Sequence, residues 1–215
     1  MASVISSLTT TQIEGLTTTA MAAITTTDIA AFATTQAAVL SATQINALTS
    51  TNFQSWAATQ FAALSTSAIN GISSTQLLGL TSTEAQALTS TQIGAFKAVG
   101  LDAITSTNLH SWTTTQLGGL TATQIGTIST TALDNLGTTN LAQFTTTQAQ
   151  GLTTAQLNNI TSTDLHALTI TNLTTQQVAG LTSTAAGNLS TTQAEGFTST
   201  QVGALTTTAL GGLTS

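Results

Sequence analysis

The chain has no cysteine, no proline and a single cation among its 215 residues. Without cysteine there is no disulfide, no thiolate metal site and no cysteine nucleophile. The one cation, Lys97, faces seven carboxylates: Glu14, Asp28, Glu84, Asp102, Asp134, Asp164 and Glu195. Phosphate recognition needs several Lys or Arg, so a nucleic-acid partner is excluded, and attraction to anionic lipid goes with it. Charged residues make up 4% of the chain, where globular proteins hold about 25%. There is no run of 18 apolar residues, so no membrane insertion is expected. The opening Met1 to Ile5 lacks both a basic region and a long apolar stretch and does not read as a signal peptide. Hydrophobic residues nevertheless reach 40%, with a mean hydropathy of +0.30. Collapse is therefore expected rather than charge-driven disorder, with Thr, Ser, Gln and Asn supplying solubility.

What the chain does have is one octapeptide, Leu-Thr-x-Thr-Gln-Ile-x-Ala, with Gly often in the last place. Full octads begin at every eighth residue from Leu8 to Ile160, and five more begin at Leu173, Leu181, Leu189, Phe197 and Leu205. A fixed short period predicts an array in which each unit buries its apolar face only against neighbours. We read residues 1–215 as a single repeat array. It is in phase at Ile5 and stops inside a unit, which we read as a segment of a longer array with an added Met1.

Position one of the octad is large and apolar, position six is mostly Ile, Leu or Val, and the apolar spacings alternate five and three. A strand needs spacings of two. A helix places position six and the next position one on one face, three residues apart. The polar half reads as a helix start: Thr or Ser at position two is the N-cap, and Gln at position five is the third helical residue. That is a capping box, with positions one and six forming the hydrophobic staple. Leu88-Thr89-Ser90-Thr91-Gln92-Ile93 shows the layout. Each octad should thus form a helix of about a turn and a half. A helix so short is unstable alone, so stacking must stabilise it. Small residues at position eight would let backbones approach, and variable position seven should face water. The expected fold is an all-α solenoid of short helices. The alternative is a β-solenoid, favoured by the strand propensity of Thr and Ile but needing a bulge in every unit.

A longer period lies above the octad. Leu48-Thr-Ser-Thr-Asn-Phe-Gln-Ser55 before Trp56 matches Ile104-Thr-Ser-Thr-Asn-Leu-His-Ser111 before Trp112, seven octads on. Duplication of seven-octad blocks accounts for this; so would two solenoid turns of three and a half units. Two units depart from the pattern. Residues 96–103 lose the cap and the Gln, and residues 168–172 are three residues short. Each is expected to mark a local irregularity.

The chemistry-bearing residues form no site. His110 and His166 occupy position seven of equivalent units, near Asn108 and Asp164, without the ligand spacing of a metal centre. They are expected to be exposed polar residues. No Ser or Thr sits in a nucleophile elbow or has an Asp–His pair. Gly118-Gly119 is a corner, with no phosphate-loop Lys after it. No two carboxylates are close enough in sequence for acid–base work. Trp56 and Trp112 occupy position one and should pack in the core rather than stack on sugars. No catalytic, cofactor-binding or metal-ligating residue is assigned, and the chain is not read as an enzyme.

The unit resembles the Thr/Gln-rich short repeats of very long bacterial secreted and surface proteins of the adhesin-like kind, over nearly the whole chain. Its opening is similar to the Leu-Thr-Pro-Glu-Gln-Val-Val-Ala-Ile helix start of TAL-effector repeats, which supports helices and not DNA binding. The first resemblance implies an extracellular or cell-surface structural segment: a spacer, stalk or filament-forming unit, self-associating through solenoid ends. The alternative is a surface- or ligand-binding module for glycan or ice, using the Thr/Gln/Asn face. Ice binding would need strands.

Overall fold

The computed structural model describes residues 3–213, and the reading of Met1 as an added residue lies outside them. The described residues form 24 α-helices and two 3-10 turns, Ile5–Ser7 and Ile170–Asn172. They contain no strand, so the chain forms the all-α repeat solenoid rather than its β alternative. Most helices are four to six residues long and match the octads, as in Thr66–Asn70, Ser82–Ala87 and Ser90–Ala95.

The local cause is the capping box. At Ser90–Ala95 the Thr89 hydroxyl accepts from the Gln92 N–H at 3.2 Å, and Gln92 Oε1 accepts from the Thr89 N–H at 2.9 Å. Each helix leaves orphan N–H groups at its start, and this pair satisfies two of them. Where position two is Ala, as at Ala33 and Ala57, the Gln half of the box persists: Gln36 and Gln60 still accept from those N–H groups at 2.8 and 2.9 Å. The N-cap residue has an extended backbone, which turns the chain at the corner before each helix; Thr89 has φ −79° and ψ 156°.

The contacts divide the chain into two compact units, Met1–Gly119 and Leu120–Ser215. In the first, Ser82–Ala87 packs on Ala58–Ala62 and on Ser106–His110, three octads before and after. In the second, Ala122–Thr127 packs on Thr146–Gly151, and Ser183–Gly187 on Thr207–Leu213, again three octads apart. The core of the first unit is a column of position-six side chains: Ile13, Met21, Ile29, Ile45, Phe61, Ile69 and Ile93 are all 0% exposed. Val178 and Leu157 hold that place in the second. Burying one such side chain contributes about 1.5–3 kcal/mol, which is what makes a five-residue helix viable.

Position eight does allow backbones to meet. A Cβ on Gly119 would lie 2.2 Å from the Ser90 carbonyl oxygen, and one on Gly151 2.5 Å from that of Ala122. Both partners are 29 residues earlier, at position three.

The irregular units are absorbed rather than excluded. Residues 98–102 still form a helix, with Lys97 at the N-cap and no side-chain cap. Gly100 fills the Gln position there, and a Cβ on it would press on Phe96 and Leu77. The short unit becomes the 3-10 turn Ile170–Asn172. A third irregularity lies at Gly137, the position-two residue of its octad. With φ 76°, it breaks Thr130–Leu141 into two helices across a kink. That left-handed conformation is open to Gly and costly for Thr.

Candidate functional site

The side chain that organises each turn is the position-five Gln, which is buried at Gln36, Gln44, Gln60, Gln76, Gln92 and Gln116 in the first unit. Its Oε1 caps its own helix. Its Nε2 reaches back one turn and donates to carbonyls at the C-terminus of an earlier helix. Gln36 Nε2 donates to Ile5 O at 2.8 Å and Leu8 O at 2.7 Å. Gln44 does so to Ile13 O and Leu16 O at 2.8 and 3.0 Å, and Gln60 to Ile29 O and Phe32 O at 3.0 and 2.7 Å. Gln92 and Gln116 repeat the pattern on Phe61 O and Leu64 O, and on Ala85 O and Leu88 O. These intervals are 31 and 28 residues. With the forward links of 25 and 27 residues they bracket a turn of between three and four octads in the first unit. The seven-octad recurrence of Trp56 and Trp112 is compatible with two such turns and with duplication of blocks.

One amide thus satisfies orphan groups at the start of one helix and at the end of another. The shorter Asn keeps only the nearer acceptor: Asn108 donates to Leu80 O at 2.8 Å, and Asn52 to Ile24 O.

Position seven carries a second link, running forward. Asn46 Nδ2 donates to Gly71 O at 2.8 Å while its Oδ1 accepts from the Ser73 N–H at 2.8 Å. Asn158 clasps Gly180 O and the Thr182 N–H in the same way at 2.9 Å each. Gln54 Nε2 donates to Gly79 O at 2.7 Å. The position is solvent-exposed, as expected, but its amides join turns. His166 belongs to this set, with Nε2 2.5 Å from Asn188 O. Where Asn46 caps Ser73, Gln76 is relieved of that role, and its Oε1 is buried without a hydrogen-bond partner.

Three carboxyls occupy the Gln position. Asp28, in the first turn, has hydroxyl and amide donors from Ser3 and Thr25, and these hold it below its ordinary pKa of 3.8. Asp164 is 7% exposed, and its Oδ2 accepts from the Thr161 hydroxyl at 2.7 Å. Beside it, Asp134 Oδ1 accepts from the Thr161 N–H at 3.3 Å. Burial pushes Asp134 up, and the charge of Asp164 adds to this, against the Thr161 hydrogen bond. Glu84 is 0% exposed, and burial pushes its carboxyl above the ordinary 4.5.

Trp56 and Trp112 are 3% and 4% exposed, in the core as position one requires. Trp56 stacks at a tilt on Phe32, with ring centroids 5.5 Å apart. Among the described residues no group of three or more His, Asp or Glu is placed to hold a metal, and no helix is long and apolar enough to cross a membrane. The second unit has an open groove of about 280 Å³ between Thr153, Thr154, Thr174 and Gln176, with no charged group in its lining. No family model, curated protein or solved structure matches this chain.

Sequence reasoning found the cap but missed the reach of its other end. The one available signal was the amide itself: Asp or Glu would cap as well as Gln, yet Gln dominates position five.

Proposed function

We propose that this chain is a structural repeat segment, a spacer, stalk or filament-forming unit of an extracellular bacterial protein. The observation that carries this reading is the double-ended Gln. Each turn is bonded to the next through one side chain that most turns carry, so length is additive and any turn can receive another. The position-five Gln residues that bond to an earlier turn, from Gln36 to Gln201, are buried. The same donors and acceptors suit a head-to-tail contact between copies, which supports end-to-end self-association. The likeness to the Thr/Gln-rich repeats of bacterial secreted and surface proteins supports an extracellular setting, and the absence of cysteine is compatible with it.

Electron microscopy and sedimentation over a concentration series test it. Unbranched fibres that lengthen with concentration are the expected result. A chain that stays monomeric at every concentration overturns self-association. Selective binding on a glycan array by that monomer would favour the surface-binding alternative.

A further inference from the structure

Glu84 sits in the one buried place of the ladder where a carboxyl replaces an amide at full length. Its Oε2 does what Gln Oε1 does elsewhere, accepting from the Thr81 N–H at 2.8 Å and the Thr81 hydroxyl at 2.9 Å. Its Oε1 takes the place of Gln Nε2 and is buried with no hydrogen-bond partner. Neighbouring rungs show what that place faces. Gln76 Nε2 donates to Ile45 O, 31 residues back, and Gln92 Nε2 donates to Phe61 O and Leu64 O, 31 and 28 residues back. The same intervals from Glu84 lead to the carbonyls of Phe53 and Trp56. A carboxylate there sets a buried negative charge against carbonyl oxygens, with nothing to donate. A carboxylic acid has one O–H, and that O–H completes the rung.

We propose that Glu84 is a proton-binding rung, a carboxyl whose acid form bonds its turn to the carbonyls of the preceding turn and whose ionised form releases it. The stack around residues 53–87 is then tightest in acid and loosens as pH rises. Few other charges bear on it. Helices Ser50–Phe53, Ala58–Ala62, Ser74–Leu78 and Ser90–Ala95 contain no ionisable residue. Ser106–His110, which packs on the Glu84 helix, brings only the exposed His110, and Lys97 and Asp102 are the N-cap and the last residue of the helix Ala98–Asp102. The upward push of burial on the Glu84 carboxyl agrees in direction. The sign follows from linkage. A carboxyl with a raised folded-state pKa contributes stability that is fully present below the ordinary value of 4.5 and is lost as pH climbs through the folded value.

The direct test is carbon-13 NMR of the chain labelled at its glutamate carboxyls. There are three, and Glu14 and Glu195 are exposed references on helices of the same kind. One resonance should titrate well above the other two and vanish in Glu84→Gln. Three superimposable titrations overturn the proposal. Unfolding of the wild type and of Glu84→Gln across pH 4 to 8 gives the second arm. The variant, which restores the ordinary rung, should gain on the wild type as pH rises from about 4.5 through the folded-state value and level off above it. A constant or shrinking difference overturns the proposal, even if the chain is stable throughout.

Discussion

The stretch of stack before the short unit and the stretch that spans it make the same bonds over different lengths of chain. From Gln36 to Gln116 the amide reaches back 31 and 28 residues. Across the short unit the reach falls to 28 and 25: Gln177 donates to Ala149 O and Leu152 O, and Gln193 to Leu165 O and Leu168 O. Gln201, whose acceptors Ile170 O and Leu173 O lie within and beyond the deletion, is back at 31 and 28. The acceptors named are position six and the following position one, or the residues that stand in for them, and Gln44, Gln60, Gln92, Gln116 and Gln193 also reach the position-seven carbonyl between. What the fold preserves is therefore the role of a carbonyl at a helix end, and not a count of residues. The three missing residues come out of a helix: the 3-10 turn Ile170–Asn172 spans what a full helix spans elsewhere.

The comparison is broken most strongly by removing a rung in each region. Gln60→Leu and Gln193→Leu keep the volume but abandon the N-cap amide and the carbonyls behind. Each should cost about 3 kcal/mol in urea unfolding, since every buried group left unpaired costs about 1–3 kcal/mol. A much smaller cost at Gln193 would show that the shortened turn is held by something other than the rung. The carboxyl pair of the second unit gives a smaller, pH-dependent effect. Asp134 is held above 3.8, so its acid form favours the folded state, and stability should decline as pH rises from there. Asp134→Asn should flatten that decline in a thermal melt series. Next come the caps. Thr89→Ala should lose about 1 kcal/mol, and Ala57→Thr should gain a similar amount by completing a half-made box. The gentlest change is to insert three residues after Thr171. Amide exchange around Gln177 and Gln193 should stay nearly as slow as before, because the insertion returns the short unit to octad length and leaves their acceptors at helix ends.

Much of this fold was legible because its causes are local. The capping box and staple lie within six residues, so Thr89, Gln92 and Ile93 could be assigned from their spacing alone. The seven-octad recurrence of Trp56 and Trp112 already allowed for three and a half units per turn. The second role of Gln and the clasp by Asn46 were not legible. Their partners lie 25 to 31 residues away and are backbone atoms, which leave no mark on the identity of the partner residue. The same reasoning applies to residues 96–103. Loss of the cap looked like a break, but the column of buried Leu101 and Phe96 keeps the helix in register without it. Position-five carboxyls were similarly ambiguous. Asp28 and Glu84 cap alike, but Asp28 has a further donor in Ser3 and Glu84 is buried against a turn behind it, which separates an easily ionised acid from a buried one.

A side chain with its donor at one end and its acceptor at the other gives the ladder a direction. In both units every reaching position-five Nε2 donates toward the N-terminus, as from Gln60 to Ile29 O and from Gln156 to Ile125 O, while the position-seven amides of Asn46 and Gln54 donate the other way. The stack is polar in the way an actin filament or a row of bar magnets is polar. Two copies meeting through like ends would oppose donor to donor or acceptor to acceptor, so a twofold dimer has no use for the ladder. Only head-to-tail contact continues it, and a heterologous contact that does not close on itself grows without limit.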